Sequence, residues 1–210
     1  VGGEALMKID AKKPDLEIQD YFILSKGHAA PALYSVLADK GFFAKEELNH
    51  LRQVNSLLQG HVVRKIPGVT MTAGSLGQGL SVANGLAMCL KMDRKPNRVY
   101  CMLGDGELQE GQVWEAAMSA AHYKLDNLVA IVDKNELQID GPTRAIMGID
   151  PLAAKFESFG WKVIQVVDGH DFNEILQGFD KALKTQRQPV CVIAHTVKGK
   201  GVPFAENKVS

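Results

Sequence analysis

Residues 98–141 read RVYCMLGDGELQEGQVWEAAMSAAHYKLDNLVAIVDKNELQIDG. Two short apolar runs, VYCML and LVAIVD, are bounded by glycine, asparagine and aspartate, which marks them as buried strands. Between them ELQEGQVWEAAMSAAHY has the spacing and composition of a helix. A strand, a helix and a second strand that is apolar along its whole length form the repeating unit of a parallel sheet covered on both faces.

The same alternation continues outward. Upstream, the glycine-rich loop TAGSLGQG leads into a helix on which Leu76, Leu80, Ala83, Ala87 and Leu90 step by four and three. Before it come the apolar run YFIL (21–24), then a helix in PALYSVLADKG with Pro31 in its first turn and Gly41 past its end. A further helix is predicted from Lys45 to Gln53. Downstream follow a helix from Leu152 to Phe159, the strand KVIQVV, a helix from Phe172 to Thr185 and the strand VCVIAHT. The pattern predicts a doubly wound α/β fold, with a mainly parallel sheet and helices on both faces. No repeat, low-complexity tract or linker divides the chain, so residues 1–210 are expected to form one domain. The first twenty residues are charged and weakly periodic, and they begin abruptly, as though an element in front of them were absent.

Lys plus Arg number 24 and Asp plus Glu 24, so the overall field favours neither nucleic acid nor an anionic membrane. Cys89, Cys101 and Cys191 lie far apart with no CxxC spacing, and they read as buried thiols in a reducing compartment. No apolar stretch reaches the roughly 18 residues of a membrane helix, and no signal-peptide pattern is present. A cytoplasmic location is expected.

Asp105, Glu107 and Glu110 crowd the segment after VYCML. An acid in the first turn of a helix faces its free N–H groups, and that accounts for Glu107. Asp105 is different, because it sits between two glycines where an apolar strand must stop. In doubly wound sheets, ligands bind at the carboxyl ends of the strands. Asp105 follows VYCML and Asn135 follows LVAIVD, so a right-handed crossover can bring both to one cavity. A carboxylate, an amide oxygen and a nearby backbone carbonyl suit a hard divalent ion such as magnesium. That set needs further oxygens, and a helix N-terminus beside it favours a diphosphate as their source.

GDG, then about thirty residues, then Asn resembles the motif by which thiamine-diphosphate enzymes hold magnesium and the cofactor's diphosphate. LSKGHAAPALY, LQGH, PGVTMTAGSLGQGLS and HTVKGKG are all similar to the amino-terminal half of transketolase, from about Met7 to Asn207. The resemblance is greatest to transketolases whose two halves are separate polypeptides. It implies that Asp105, Asn135 and the carbonyl of Leu137 bind magnesium, for which calcium or manganese can substitute. It implies a diphosphate contact at Gly106 and places Glu107 beside the cofactor as well. Glu110 matches the glutamate that couples the cofactor site to its symmetry mate. His28 and His61 match histidines that contact the donor sugar as hydrogen-bond donors or proton shuttles. Gly74 and Leu76, with Ser75 between them, match the loop under the cofactor ring. Lys26 and Lys198 resemble lysines near the cofactor and its diphosphate. His50 and His122 fall on helices and His170 and His195 at strand ends, and none of these four is assigned a role. KGKG lacks the Ser or Thr of a nucleotide P-loop, and no GxGxxG follows a strand, so ATP and NAD sites are not expected.

The implied activity is transfer of a two-carbon ketol unit between sugar phosphates in carbohydrate metabolism. A carboxy-terminal partner subunit is expected, in a homodimer or heterotetramer, with an apolar, glycine-rich face around TAGSLGQG and the helix after Glu107. The family's first helix region, with a Gly-His-x-Gly stretch, and its final segment, with another histidine, are expected to lie outside this sequence. HVVRKIPG lacks the usual Pro or acidic residue after its histidine, and QDYFILSKGH lacks an arginine often found before the aromatic residue. Two other readings are a divergent or truncated subunit that associates without catalysing, and a half resembling deoxyxylulose-phosphate synthase. GELQEGQVWEAA and LQGH favour transketolase over the latter.

Overall fold

In the computed structural model, which describes residues 6–13 and 19–209, each long apolar run becomes a strand. These are β1 (Tyr21–Leu24), β2 (Val99–Gly104), β3 (Leu128–Lys134), β6 (Lys162–Val166) and β7 (Val190–His195), joined in one parallel sheet of order β1-β2-β3-β7-β6. A small antiparallel pair, β4 (Leu137–Gln138) and β5 (Gly141–Pro142), follows β3. The helices are α1 (Ala30–Asp39), α2 (Gln78–Met92), α3 (Gly111–His122), α4 (Thr143–Ile146), α5 (Leu152–Ser158) and α6 (Phe172–Lys184).

The chain builds β1, β2 and β3 in one direction, crosses to the far edge for β6, then returns to insert β7 beside β3. Because strand-to-strand crossovers are right-handed, the reversal puts the last helix on the opposite face. The packing agrees. On one face Leu80, Ala83 and Ala87 of α2, Val113 and Ala117 of α3 and Phe156 of α5 bury Cys101, Leu103, Ala130, Val132 and Ile193. On the other, Ile175, Phe179 and Ala182 of α6 cover Tyr100, Ile131, Ile164 and Val192. Alternate residues of β2 therefore serve opposite cores, as side-chain direction along a strand requires. Phe156 anchors the first core between Trp114 and Trp161, with ring centroids 5.2 and 5.4 Å away. A third cluster, of Tyr34 and Leu37 with Leu58, Val62 and Ile66, seats α1 and the loop behind it over Leu24. Among the described residues no helix is long and apolar enough to cross a membrane.

Three expectations change. The helix predicted from Glu107 is broken: a 3-10 turn covers Gly106–Gln109, Glu110 is extended (φ −72°, ψ 124°), and α3 starts at Gly111. The carboxylates of Asp105 and Glu107 take the N–H groups of Gly106 and Gly104, so the chain is held in a tight turn before the helix begins. The helix expected from Lys45 to Gln53 is a 3-10 segment, Lys45–His50. Cys101 and Cys191 are buried as expected, but Cys89 is exposed on the outer face of α2, since its helical position lies opposite Leu80 and Ala87. The reading of the first twenty residues falls partly outside the described residues.

Candidate functional site

The carboxyl ends of β1, β2, β3 and β7 converge. Asp105, just past β2, is only 1% exposed. Its Oδ1 accepts from Gly106 N (2.8 Å) and its Oδ2 from Glu136 N (2.6 Å), a residue just past β3. Asn135 Oδ1 accepts from Leu137 N at 3.0 Å, and Glu136 between them has φ +60°, which turns the chain back over Asp105. Asp105, Asn135 and Leu137 are thus brought together at two adjacent strand ends. A side chain on Gly106 would press on Gln138 Cβ at 3.1 Å, so glycine is what fits beneath β4 there.

Asp133, the next-to-last residue of β3, was not anticipated from sequence. Burial disfavours its charge, yet Lys26 (Nζ to Oδ2, 2.5 Å), Thr196 and Asn135 together hold its carboxyl below the usual range. Asp105 behaves oppositely. Burial, with Asp133 nearby, outweighs the two backbone N–H groups and the Lys26 charge and pushes its carboxyl up. Burial therefore disfavours the charged form of Asp105, the opposite of what holds at Asp133.

The basic groups gather at the same corner. His28 is driven below its ordinary value first by burial, then by Lys26, His61 and Lys198, with Asp133 opposing. His61 lies against Gly27, where an added Cβ would stand 3.1 Å from its Cδ2. Lys198 is held in a turn closed by Asn207 N to Lys198 O (2.7 Å), with Gly199 (φ +72°) at its bend. His170 holds the segment after β7, since Val197 N donates to its Nε2 (2.7 Å), and His195 joins β7 to β6, its Nε2 meeting Gln165 Oε1 (3.1 Å).

Gly74, Ser75 and Glu110 form a more open rim. Gly74 and Ser75 are exposed, Leu76 is half-buried, and a Cβ on Gly74 would meet nothing within 4 Å. Glu110 is exposed, with its Cβ against Gly77. Glu107 lies in the first turn of the 3-10 segment, but its carboxylate is turned away to other parts of the chain. It is 2% exposed, and its carboxylate accepts from Ser25 Oγ, Gly77 N (2.8 Å) and Gly104 N (3.0 Å). Ser25, Asp133 and Thr196 are the residues sequence reading missed. The only signal for Ser25 and Asp133 is position, each lying at the carboxyl end of an apolar run.

Residues 4–210 match the family described as transketolase, thiamine diphosphate binding domain. The chain belongs to that family. It is 46% identical over 206 residues to the 6-deoxy-6-sulfo-D-fructose transketolase subunit SqwG of Clostridium sp. (strain MSTE9), covering 98% of this chain and 74% of that protein. To an apulose-4-phosphate transketolase subunit of Phocaeicola vulgatus it is 41% identical, covering 96% of this chain and 71% of that one. Human transketolase is 46% identical over 97% of this chain, which spans 32% of that longer protein. The transketolase crystal structure from Campylobacter jejuni superposes with a TM-score of 0.91 at 33% identity, over 97% of this chain and 33% of that one. The transketolase fold and the thiamine diphosphate-binding domain are thereby established for this chain.

Proposed function

We propose that the chain is the amino-terminal, diphosphate-binding subunit of a split transketolase, which moves a two-carbon ketol unit between sugar phosphates together with a partner carrying the pyrimidine-binding domain. The observation that carries this is the meeting of Asp105 and Asn135 at the ends of neighbouring parallel strands. The two relatives named as subunits support the split arrangement. Their names also widen the substrate class to sugars bearing a phosphate or a sulfonate.

The residues present fit a magnesium–diphosphate group. Asp105 is a buried carboxylate whose charge burial penalises, and Asn135 and the Leu137 carbonyl add neutral oxygens beside it. Lys26 and Lys198 would balance the diphosphate, Gly106 would let it approach the backbone, and Gly74, Ser75 and Leu76 would lie under the ring. Thiamine diphosphate supplies the carbanion-stabilising chemistry when bound. Around it, His28 is held neutral by burial and by its cationic neighbours, so its imidazole is free to donate a hydrogen bond or carry a proton at the sugar. His61, at Gly27, stands where it would share that task. Glu107 would support the cofactor site from behind, and exposed Glu110 would reach the second copy.

The association surface also has support. Val82, Met92 and Met118 are 44%, 76% and 58% exposed on the outer sides of α2 and α3, and Gly85 faces open space. A homodimer or heterotetramer in the cytoplasm, with residues 1–210 as one domain, is the arrangement we expect. The test is a calorimetric titration of thiamine diphosphate into this chain with its partner subunit, with and without magnesium, repeated on Asp105→Ala. Binding that requires magnesium and is lost in the variant is expected. Binding that is indifferent to both would overturn the assignment of Asp105.

A further inference from the structure

Glu107 is almost completely enclosed, yet the groups that bind its carboxylate are neutral: the Ser25 hydroxyl and the N–H groups of Gly77 and Gly104. Ser25 Oγ in turn accepts from Gly79 N at 3.1 Å. Gly77 is the residue that precedes α2, with φ +82°, and no side chain of its own segment caps that helix. Gly77 and Gly79 thus present free N–H groups at the positive end of a 15-residue helix. The Glu107–Ser25 pair satisfies both from other parts of the chain, which makes the carboxylate a cap supplied across the fold. The helix end also explains how a charge can sit here, because oriented N–H dipoles replace the missing cation.

The three elements tied by this carboxylate are the ones that carry the candidate site. Ser25 precedes Lys26, Gly77 closes the loop of Gly74, Ser75 and Leu76, and Gly104 precedes Asp105. The fit is close on all sides. A Cβ on Gly79 would collide with Ser25 Oγ, and one on Gly77 would stand 2.8 Å from Glu110 Cβ.

We infer that Glu107 is a positioning residue: its carboxylate locks the start of α2 and the Gly74–Gly77 loop to the ends of β1 and β2, so that the cofactor cradle is formed before the cofactor arrives. The inference rests on the reading of this site as a thiamine diphosphate site. It predicts that removing the charge slackens one loop and weakens cofactor capture, while the chemistry of the loaded enzyme is left intact.

The experiment uses the assembled complex with wild-type chain, Glu107→Gln and Ser25→Ala, with magnesium thiamine diphosphate as the probe. Hydrogen exchange is followed at Gly77 and Gly79 without cofactor, then cofactor affinity and turnover at saturating cofactor are measured. For Glu107→Gln we expect faster exchange at these two amides and affinity weaker by about tenfold, the loss expected for charge-assisted bonds made neutral. Turnover at saturation should stay within about twofold of wild type, since the group touches no reacting atom. Ser25→Ala, which keeps the carboxylate, should move exchange and affinity the same way by a smaller amount. Unchanged exchange and affinity in both variants would overturn the inference. So would a fall in turnover at unaltered affinity, which would place Glu107 in the chemistry itself. If Glu107→Gln does not fold, Ser25→Ala decides alone: wild-type exchange and affinity in that variant refute the inference. A wild-type complex that binds no thiamine diphosphate would refute the functional reading instead, and the exchange at Gly77 and Gly79 would still report on the cap.

Discussion

Lys26 Nζ lies 2.5 Å from Asp133 Oδ2, an ion pair that joins the end of β1 to the end of β3 across the intervening β2. The stem of Lys26 runs over Gly104, the last residue of β2, where an added Cβ would be 3.9 Å from its Cβ and Cδ. Glycine at that position leaves the path open. The pair spans the carboxyl edge of the sheet beside Asp105, and its charges act on both Asp105 and His28.

Lys26→Met keeps the stem and removes the ammonium, leaving Asp133 without its cation. The Lys26 side chain is 8% exposed and that of Asp133 25%, so part of the loss is recovered by solvent. A cost of about 1–3 kcal/mol in urea unfolding is expected, below the range for a fully buried pair. Adding Asp133→Asn should restore part of it. Strict additivity of the two single changes would show that the pair contributes no coupling.

His28 should titrate below the ordinary 6.5, because burial and then Lys26, His61 and Lys198 all disfavour the imidazolium. Imidazole resonances followed by NMR against pH would give the midpoint. Lys198→Met removes one of the depressing charges and should raise it, with Lys26→Met raising it further. The sign for stability follows: the unfolded chain binds this proton more readily than the folded one. Stability is therefore lost as pH falls from 6.5 towards the folded midpoint and is level below that. A midpoint at or above 6.5 would contradict the clustering of these cations.

Gly79 and Gly85 lie on the same helix and should respond oppositely to alanine. At Gly79 the new methyl would collide with Ser25 Cβ and Oγ and stand 2.9 Å from its Cα, a clash with backbone as well as side chain. Overpacking of that kind costs about 1–3 kcal/mol. At Gly85 nothing lies within 4 Å, so the gain in helix propensity, up to about 1 kcal/mol, should appear as added stability. Thermal unfolding of the two variants at equal protein concentration separates these outcomes.

Val82→Glu places a charge on the exposed apolar side of α2 without touching the Lys26, Asp105 or Glu107 contacts. Light scattering after size exclusion should show the wild-type assembly converted to a smaller species, with the far-ultraviolet circular dichroism unchanged. An assembly that survives the charge would move the association surface elsewhere.

The apolar runs of β2 and β3 and the glycines around Asp105 make the parallel sheet, and the ligand end of that sheet, legible in the sequence. Period and punctuation are local properties, and a buried parallel strand differs little from its neighbours in what it requires. Asp105 and Asn135 are equally legible, since each follows a strand whose end the topology forces into one place. Glu107 is not. Its residue type and position suit a first-turn acid as well as a cap for another helix, and the choice depends on Gly77 and Ser25, distant in sequence but adjacent in space. The break at Glu110 is hidden for the same reason, because side-chain carboxylates bonded to Gly104 and Gly106 compete with the helix there.

Patterns that run along the chain were enough for the order of the five long strands, the family resemblance, and the places of Asp105 and Asn135 at two strand ends. It took the folded chain to show that Asp133 pairs with Lys26, that His28, His61 and Lys198 share one electrostatic corner, and that Glu107 caps α2. Those facts depend on distances between segments far apart in the chain, and a buried charge is placed by whichever donors packing brings to it.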